Sequence, residues 1–226
     1  MKTHYYFSWF EDGFPEKLKK ILNEDIKDRK SLVTISTKPA DFEYHAEEYN
    51  MIKKEWFGEA GIVFDKHHWI DYNVSKQKAH KLLRNASVIF VMGGDTASQN
   101  AFLAEYELTK PIKESRTNTI IGFSAGSENM AAQWIYAKSA GYSDAEAVQI
   151  YNGLRLDNFA YVGHFEHDKV ELIENELFPV SHDFDIHAQC DEAVIRVKDG
   201  EIEILGDVYL ISNGEIQKMP EIGFAE

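Results

Sequence analysis

The stretch Gly122-Phe123-Ser124-Ala125-Gly126 follows an apolar run, Thr119–Phe123, and opens an amphipathic one. A serine at such a strand-to-helix turn can act as a nucleophile, because the tight bend holds its hydroxyl clear of the sheet. The flanking glycines let neighbouring backbone come close. The helix start beyond them offers N–H groups and positive potential to a developing oxyanion. A second glycine turn, Gly93-Gly94-Asp95-Thr96, ends another apolar run. Its amides are unshielded donors, and the ends of parallel strands are where open α/β sheets bind ligands. The same turn also suits Asp95 or Thr96 as a helix N-cap.

A serine hydroxyl needs a base near neutral pH. Of nine histidines, His164 is best placed. In Tyr161-Val162-Gly163-His164-Phe165 it ends the apolar segment Phe159–Val162, where a strand would deliver a side chain to the sheet edge. His167 is its nearest competitor. His4, His45 and His80 fall in strand or helix patterns, and His67 and His68 lie in or near a strand. His182 and His187 fall in an irregular acidic stretch with no expected strand to position them. The acid that orients the base has 38 candidates. Asp191 and Glu192, just ahead of the expected strand Ala193–Val197, are the two that sit at a suitable strand start.

The spacing of His164 and His167, with Glu166 and Asp168 alongside, would suit two metal ligands on one helical face. No further ligand motif completes such a set, so neither a metal nor an organic cofactor is expected. Cys190 lacks an elbow and reads as buried filler. As the one cysteine of the chain, it excludes an internal disulfide framework.

Those residues need strands and helices to hold them. His4–Phe10, Leu32–Ser36, Ile62–Ile70, Ser87–Met92 and Thr119–Phe123 read as strands. The last two are continuous apolar runs, as expected of strands buried on both faces of a parallel sheet. Glu16–Ile26, Lys76–Leu83, Ser98–Leu108 and Glu128–Lys138 read as helices. Ala40–Glu59 offers Phe42, Tyr49, Ile52 and Trp56 to one face of a further helix. Glu192–Val197, Glu201–Leu205 and Val208–Ile211 read as short strands, with Asp199-Gly200 and Asn213-Gly214 as turns. This alternation predicts an open, mostly parallel α/β sheet with helices on both faces, flavodoxin-like in plan. It carries a β-rich C-terminal extension within a single domain, residues 1–226.

Composition narrows the partners. A chain of 226 residues can bury a full core without staples. Its net charge of −14 repels phosphate backbones and anionic lipid, so no nucleic acid and no membrane surface is expected as a partner. No run reaches the roughly 18 apolar residues of a spanning helix. Met1–Tyr6 lacks the apolar stretch of a signal peptide, which makes the cytoplasm the expected compartment.

Chain order adds a resemblance. Nucleophile, then histidine, then acid on a parallel sheet is the order of the class I glutamine amidotransferase-like fold. The chain resembles the peptidase E (aspartyl dipeptidase) family within it, a group that includes cyanophycinase relatives. The likeness rests on Gly93-Gly94-Asp95-Thr96, Gly122-Phe123-Ser124-Ala125-Gly126-Ser127, Gly153-Leu154-Arg155-Leu156 and Gly163-His164-Phe165. It covers most of the chain, from the strand before Gly93 to Ile211, and the first eighty residues weakly. It implies a serine peptidase acting on a small peptide or amide. Ser124 would be the nucleophile, His164 the base and Asp191 the acid, with the Gly94 and Ala125 amides as oxyanion hole. Gly93, Asp95, Thr96 and Ser127 would lie on the substrate side, and a homodimer stays open. Where Asp95 stands the family usually has Asn, and a carboxylate there opposes an anionic substrate. An esterase or amidase on the same scaffold, or a binding module without activity, are the alternatives.

Overall fold

The computed structural model describes residues 2–41 and 56–222. Thirteen strands among them form two sheets. The larger runs β11-β10-β1-β5-β4-β2-β3. Here β1 is Thr3–Phe7, β2 Ser31–Ile35, β3 Lys66–Ile70, β4 Val88–Val91 and β5 Thr119–Phe123. These five pair in parallel. β10 (Val194–Lys198) and β11 (Glu201–Leu205) extend the edge beyond β1 in antiparallel fashion.

Side chains on β4 alternate between two cores, as a period of two demands. Ile89 and Val91 join one cluster, Val88 and Phe90 the other. On one face lies α1 (Glu16–Asp25), which buries Leu18, Ile21 and Leu22. On the other lie α2 (Lys76–Arg84), through Ala79 and Leu83, α3 (Thr96–Glu105), through Phe102 and Leu103, and the short α4 (Thr109–Lys113), through Ile112. The expected doubly covered parallel sheet is therefore present. No helix among the described residues is long and apolar enough to cross a membrane.

The second sheet runs β13-β12-β9-β8-β6-β7. It comprises β6 (Gln133–Tyr136), β7 (Gln149–Asn152), β8 (Ala160–Val162), β9 (Ile186–Gln189), β12 (Val208–Ser212) and β13 (Glu215–Lys218). It corrects three expectations. The helix read over Glu128–Lys138 ends at Met130: the segment after Ser124 is α5 (Ala125–Met130), and Ala131 is extended. Trp134, Ile135 and Tyr136 are aromatic and β-branched residues that suit a strand, and pairing with β7 and β8 overrides the helical spacing. His187 sits in β9 rather than in irregular chain, buried against Phe159. The β-rich part begins near residue 133, well before the C-terminal third.

The expected strand Ile62–Ile70 shortens to β3. Of the helix read over Ala40–Glu59, residues 42–55, and His45 with them, lie outside the described residues; 56–59 are helical.

Candidate active site

Ser124 stands between β5 and α5 with φ 48° and ψ −114°, a conformation that costs a non-glycine residue energy and is typical of functional turns. Its surroundings enforce it. The Ser124 N–H donates to the Phe7 carbonyl (2.7 Å), continuing the β1–β5 ladder into the turn. A Cβ on Gly126 would lie 1.9 Å from the Val91 carbonyl oxygen, so only glycine lets α5 start this close to β4. Ser127 locks the other side, donating to the Phe7 carbonyl (2.8 Å) and accepting from the Phe7 N–H (3.0 Å).

The Gly93-Gly94 turn lies alongside. Gly94 has φ 126°, and among the described residues neither its N–H nor that of Ala125 donates a hydrogen bond to the protein. Both are therefore free to meet an oxyanion. Asn129 on α5 donates to the Thr96 carbonyl and to Gln99 on α3, tying the two turns together.

His164 arrives from the other sheet, two residues past β8. Its Nε2 is 2.8 Å from Ser124 Oγ. Its Nδ1 is 2.9 Å from Asp191 Oδ1. A carboxylate accepts only, so Nδ1 carries the proton and Nε2 is the free base facing the hydroxyl. Asp191 follows β9 by two residues. Burial alone would lower the His164 pKa, but the hydrogen bond and charge of Asp191, with Glu128, hold it above its ordinary 6.5. Burial would likewise raise Asp191; hydrogen bonds from His164 and Ser8 outweigh it and keep the carboxyl below its usual range.

Ser8 was invisible to motif reasoning. Fully buried just past β1, it donates to Asp191 Oδ1 (2.6 Å) and accepts the backbone N–H of His164 (2.8 Å). One hydroxyl thus fixes the acid and also the backbone of the base, where His164 has φ 51°. Gln189 adds a second tie between the sheets, donating to the Tyr6 and Ala193 carbonyls. A lone serine inside the aromatic run His4–Phe10 was the available signal for Ser8.

These groups open onto a cavity of about 270 Å³ lined by Gly94, Thr96, Ser124, Glu128, Tyr142 and His164, among others. Of the residues expected on the substrate side, Thr96 lines it. Ser127 does not: it is sealed and spends its hydroxyl on Phe7. Gly93 is packed against Phe123 and Ser124. Asp95 caps α3 by accepting the Ser98 N–H (2.9 Å) and faces a neighbouring cavity beside Lys38 and Tyr72. Of the other acid candidate, Glu192 accepts the Glu11 N–H and makes no contact with His164. His167 stacks on Tyr209, and among the described residues no three metal-ligating side chains converge. Cys190 is half-buried with its thiol pushed up to about 11, chiefly by burial.

No curated protein sequence matches the chain. Solved structures share its fold, among them the following two. A peptidase from an acI-B1 actinobacterium is 13% identical with a TM-score of 0.69, the match covering 99% of this chain and 96% of that one. A peptidase E candidate from Listeria monocytogenes EGD-e is 17% identical with a TM-score of 0.61, covering 91% of this chain and 98% of that one. The sequence model of peptidase family S51 matches residues 16–205, a span that holds the elbow, the Gly93-Gly94 turn, His164 and Asp191. The chain belongs to peptidase family S51 and is a serine peptidase.

Proposed function

We propose that the chain hydrolyses a small peptide or amide through Ser124, His164 and Asp191, acting as one catalytic domain over residues 1–226. The observation that carries this reading is the unbroken relay from Ser124 Oγ to His164 Nε2 (2.8 Å) and from His164 Nδ1 to Asp191 (2.9 Å). Ser124 Oγ attacks the carbonyl carbon as its proton passes to His164 Nε2. Asp191 keeps the imidazole in the needed tautomer and stabilises the imidazolium. The Gly94 and Ala125 amides hold the tetrahedral oxyanion, a donor of this kind contributing about 3 kcal/mol. His164 then returns the proton to the leaving amine as the carbon–nitrogen bond breaks. Water, deprotonated by the same imidazole, releases the acyl group and restores the serine. No step calls for a metal or an organic cofactor.

The test is Ser124→Ala against wild type with a dipeptide and amide panel and a fluorophosphonate probe. Wild type should label on Ser124, and the variant should lose both labelling and about 10⁴-fold or more of kcat. Unchanged hydrolysis by Ser124→Ala would reject the mechanism. Turnover of esters without turnover of peptides would favour an esterase on the same scaffold.

A further inference from the structure

We propose that Glu128 is the anionic floor of this pocket and takes the free α-ammonium of the residue whose carbonyl Ser124 attacks. The role rests on the serine hydrolase reading above and adds a substrate class to it.

Glu128 sits one helical turn beyond the nucleophile, its N–H donating to the Ser124 carbonyl (3.1 Å). The residue is 5% exposed, yet it lines the catalytic cavity. Thr96 and Tyr142 both donate their hydroxyl protons to the same carboxyl oxygen, Oε2, at 2.5 and 2.6 Å. Among the described residues Oε1 accepts no hydrogen bond, and it is not one of the sealed polar atoms of the molecule. It is the oxygen left for the cavity.

A carboxylate this far from water is costly unless a cation pairs with it. Burial accordingly raises its pKa despite the two hydroxyl donors and the charge of His164. Neither Lys nor Arg lines the pocket, and His164, the one titratable cation that does, must be neutral to serve as base. Two hydroxyls orient the carboxyl and leave its other oxygen unpaired, which is the arrangement of a receptor for a cation rather than of an internal ion pair.

Reach selects the cation. Ser124 and Glu128 line the same cavity, and an α-amine lies about 2.5 Å from its own carbonyl carbon. An acyl residue seated over Ser124 therefore carries its amine into the space that Glu128 faces, where a charge-assisted hydrogen bond is the favourable contact. The same charge opposes an acyl residue with a carboxylate side chain.

Diphenyl phosphonate probes with an alanine-like side chain test this, one with a free amine and one N-acetylated, read as Ser124 labelling rate by intact mass. The free-amine probe is expected to label wild type about 10–100-fold faster, the worth of one charge-assisted hydrogen bond. In Glu128→Gln the ratio should collapse towards one, with fluorophosphonate labelling reporting that the Ser124–His164 pair survives. Equal rates in wild type, or a ratio unchanged in Glu128→Gln, would overturn the proposal. Should the variant not fold, the wild-type ratio decides alone. An N-acetylated probe with a lysine-like side chain that outpaces its alanine counterpart would overturn the α-amine assignment by moving the charge to the side chain. Failure of fluorophosphonate to label wild type would sink the serine reading itself, whereas labelling without discrimination between the amines sinks only the role of Glu128.

Discussion

The two sheets contribute to the site in different ways. The larger sheet delivers Ser124 and the Gly93-Gly94 turn from neighbouring strands β5 and β4, over a few residues of chain, with Ser127 and Asn129 securing the turns. The smaller delivers His164 and Asp191 from β8 and β9, and these reach the serine only because Ser8 and Gln189 bridge to the larger sheet. A nucleophile can thus be built by a local motif, whereas its base must be held by docking. Damage on the first side should appear as lost folding or lost nucleophile. Damage on the second should appear as lost alignment in an intact molecule.

The sharpest break of that contrast is Asp191→Asn. It should leave the fold and the melting temperature in place while kcat/KM falls about 10⁴-fold, because the amide cannot hold the productive tautomer. It should also move the pH profile. His164 acts when neutral, so wild-type activity is lost as pH falls through its raised pKa. With the Asp191 charge gone, the acid limb should shift to lower pH. A limb that stays put would assign the orienting role elsewhere. Glu192→Gln is the control and should change kcat/KM by less than about threefold, because this exposed carboxylate spends its hydrogen bond on the Glu11 N–H.

On the other side of the comparison, Gly126→Ala should cost about 3 kcal/mol of stability or prevent folding, because the added carbon meets the Val91 carbonyl. Denaturant unfolding measures this, and a variant as stable as wild type would show that α5 can back away from β4. Smallest is Ser8→Ala. It should lower kcat about tenfold with KM nearly unchanged, since it leaves the His164 N–H unpaired and removes one donor from Asp191. An equal change in both parameters would instead place Ser8 in substrate binding.

What the sequence disclosed follows the same division. The elbow was legible because its glycines, its serine and its flanking strand are contiguous and each has a local physical reason. His164 was legible as a strand-end residue although β8 spans three residues, and Asp191 as a residue just ahead of a strand, whereas β9, which it follows, read as irregular chain. The second sheet was not legible as a whole. Gln133–Tyr136 has helical spacing in a continuous stretch, and pairing partners far along the chain decided its form. Ser8, Gln189 and Glu128 belong to no motif. They matter through partners as far as 183 residues away or through a pocket that exists only after folding. Ser127 misled for the opposite reason: it stands inside the motif, and its hydroxyl is consumed in holding the turn.

The position of Ser8 has one more consequence. It lies just past β1 and is made 183 residues ahead of its carboxylate partner, Asp191. A growing chain can complete the parallel strands and expose a bent serine long before it owns an oriented imidazole. Hydrolytic competence therefore arrives late, once the stretch that carries Asp191 has been made and docked against Ser8, and a chain stalled before that point would be inert towards its neighbours.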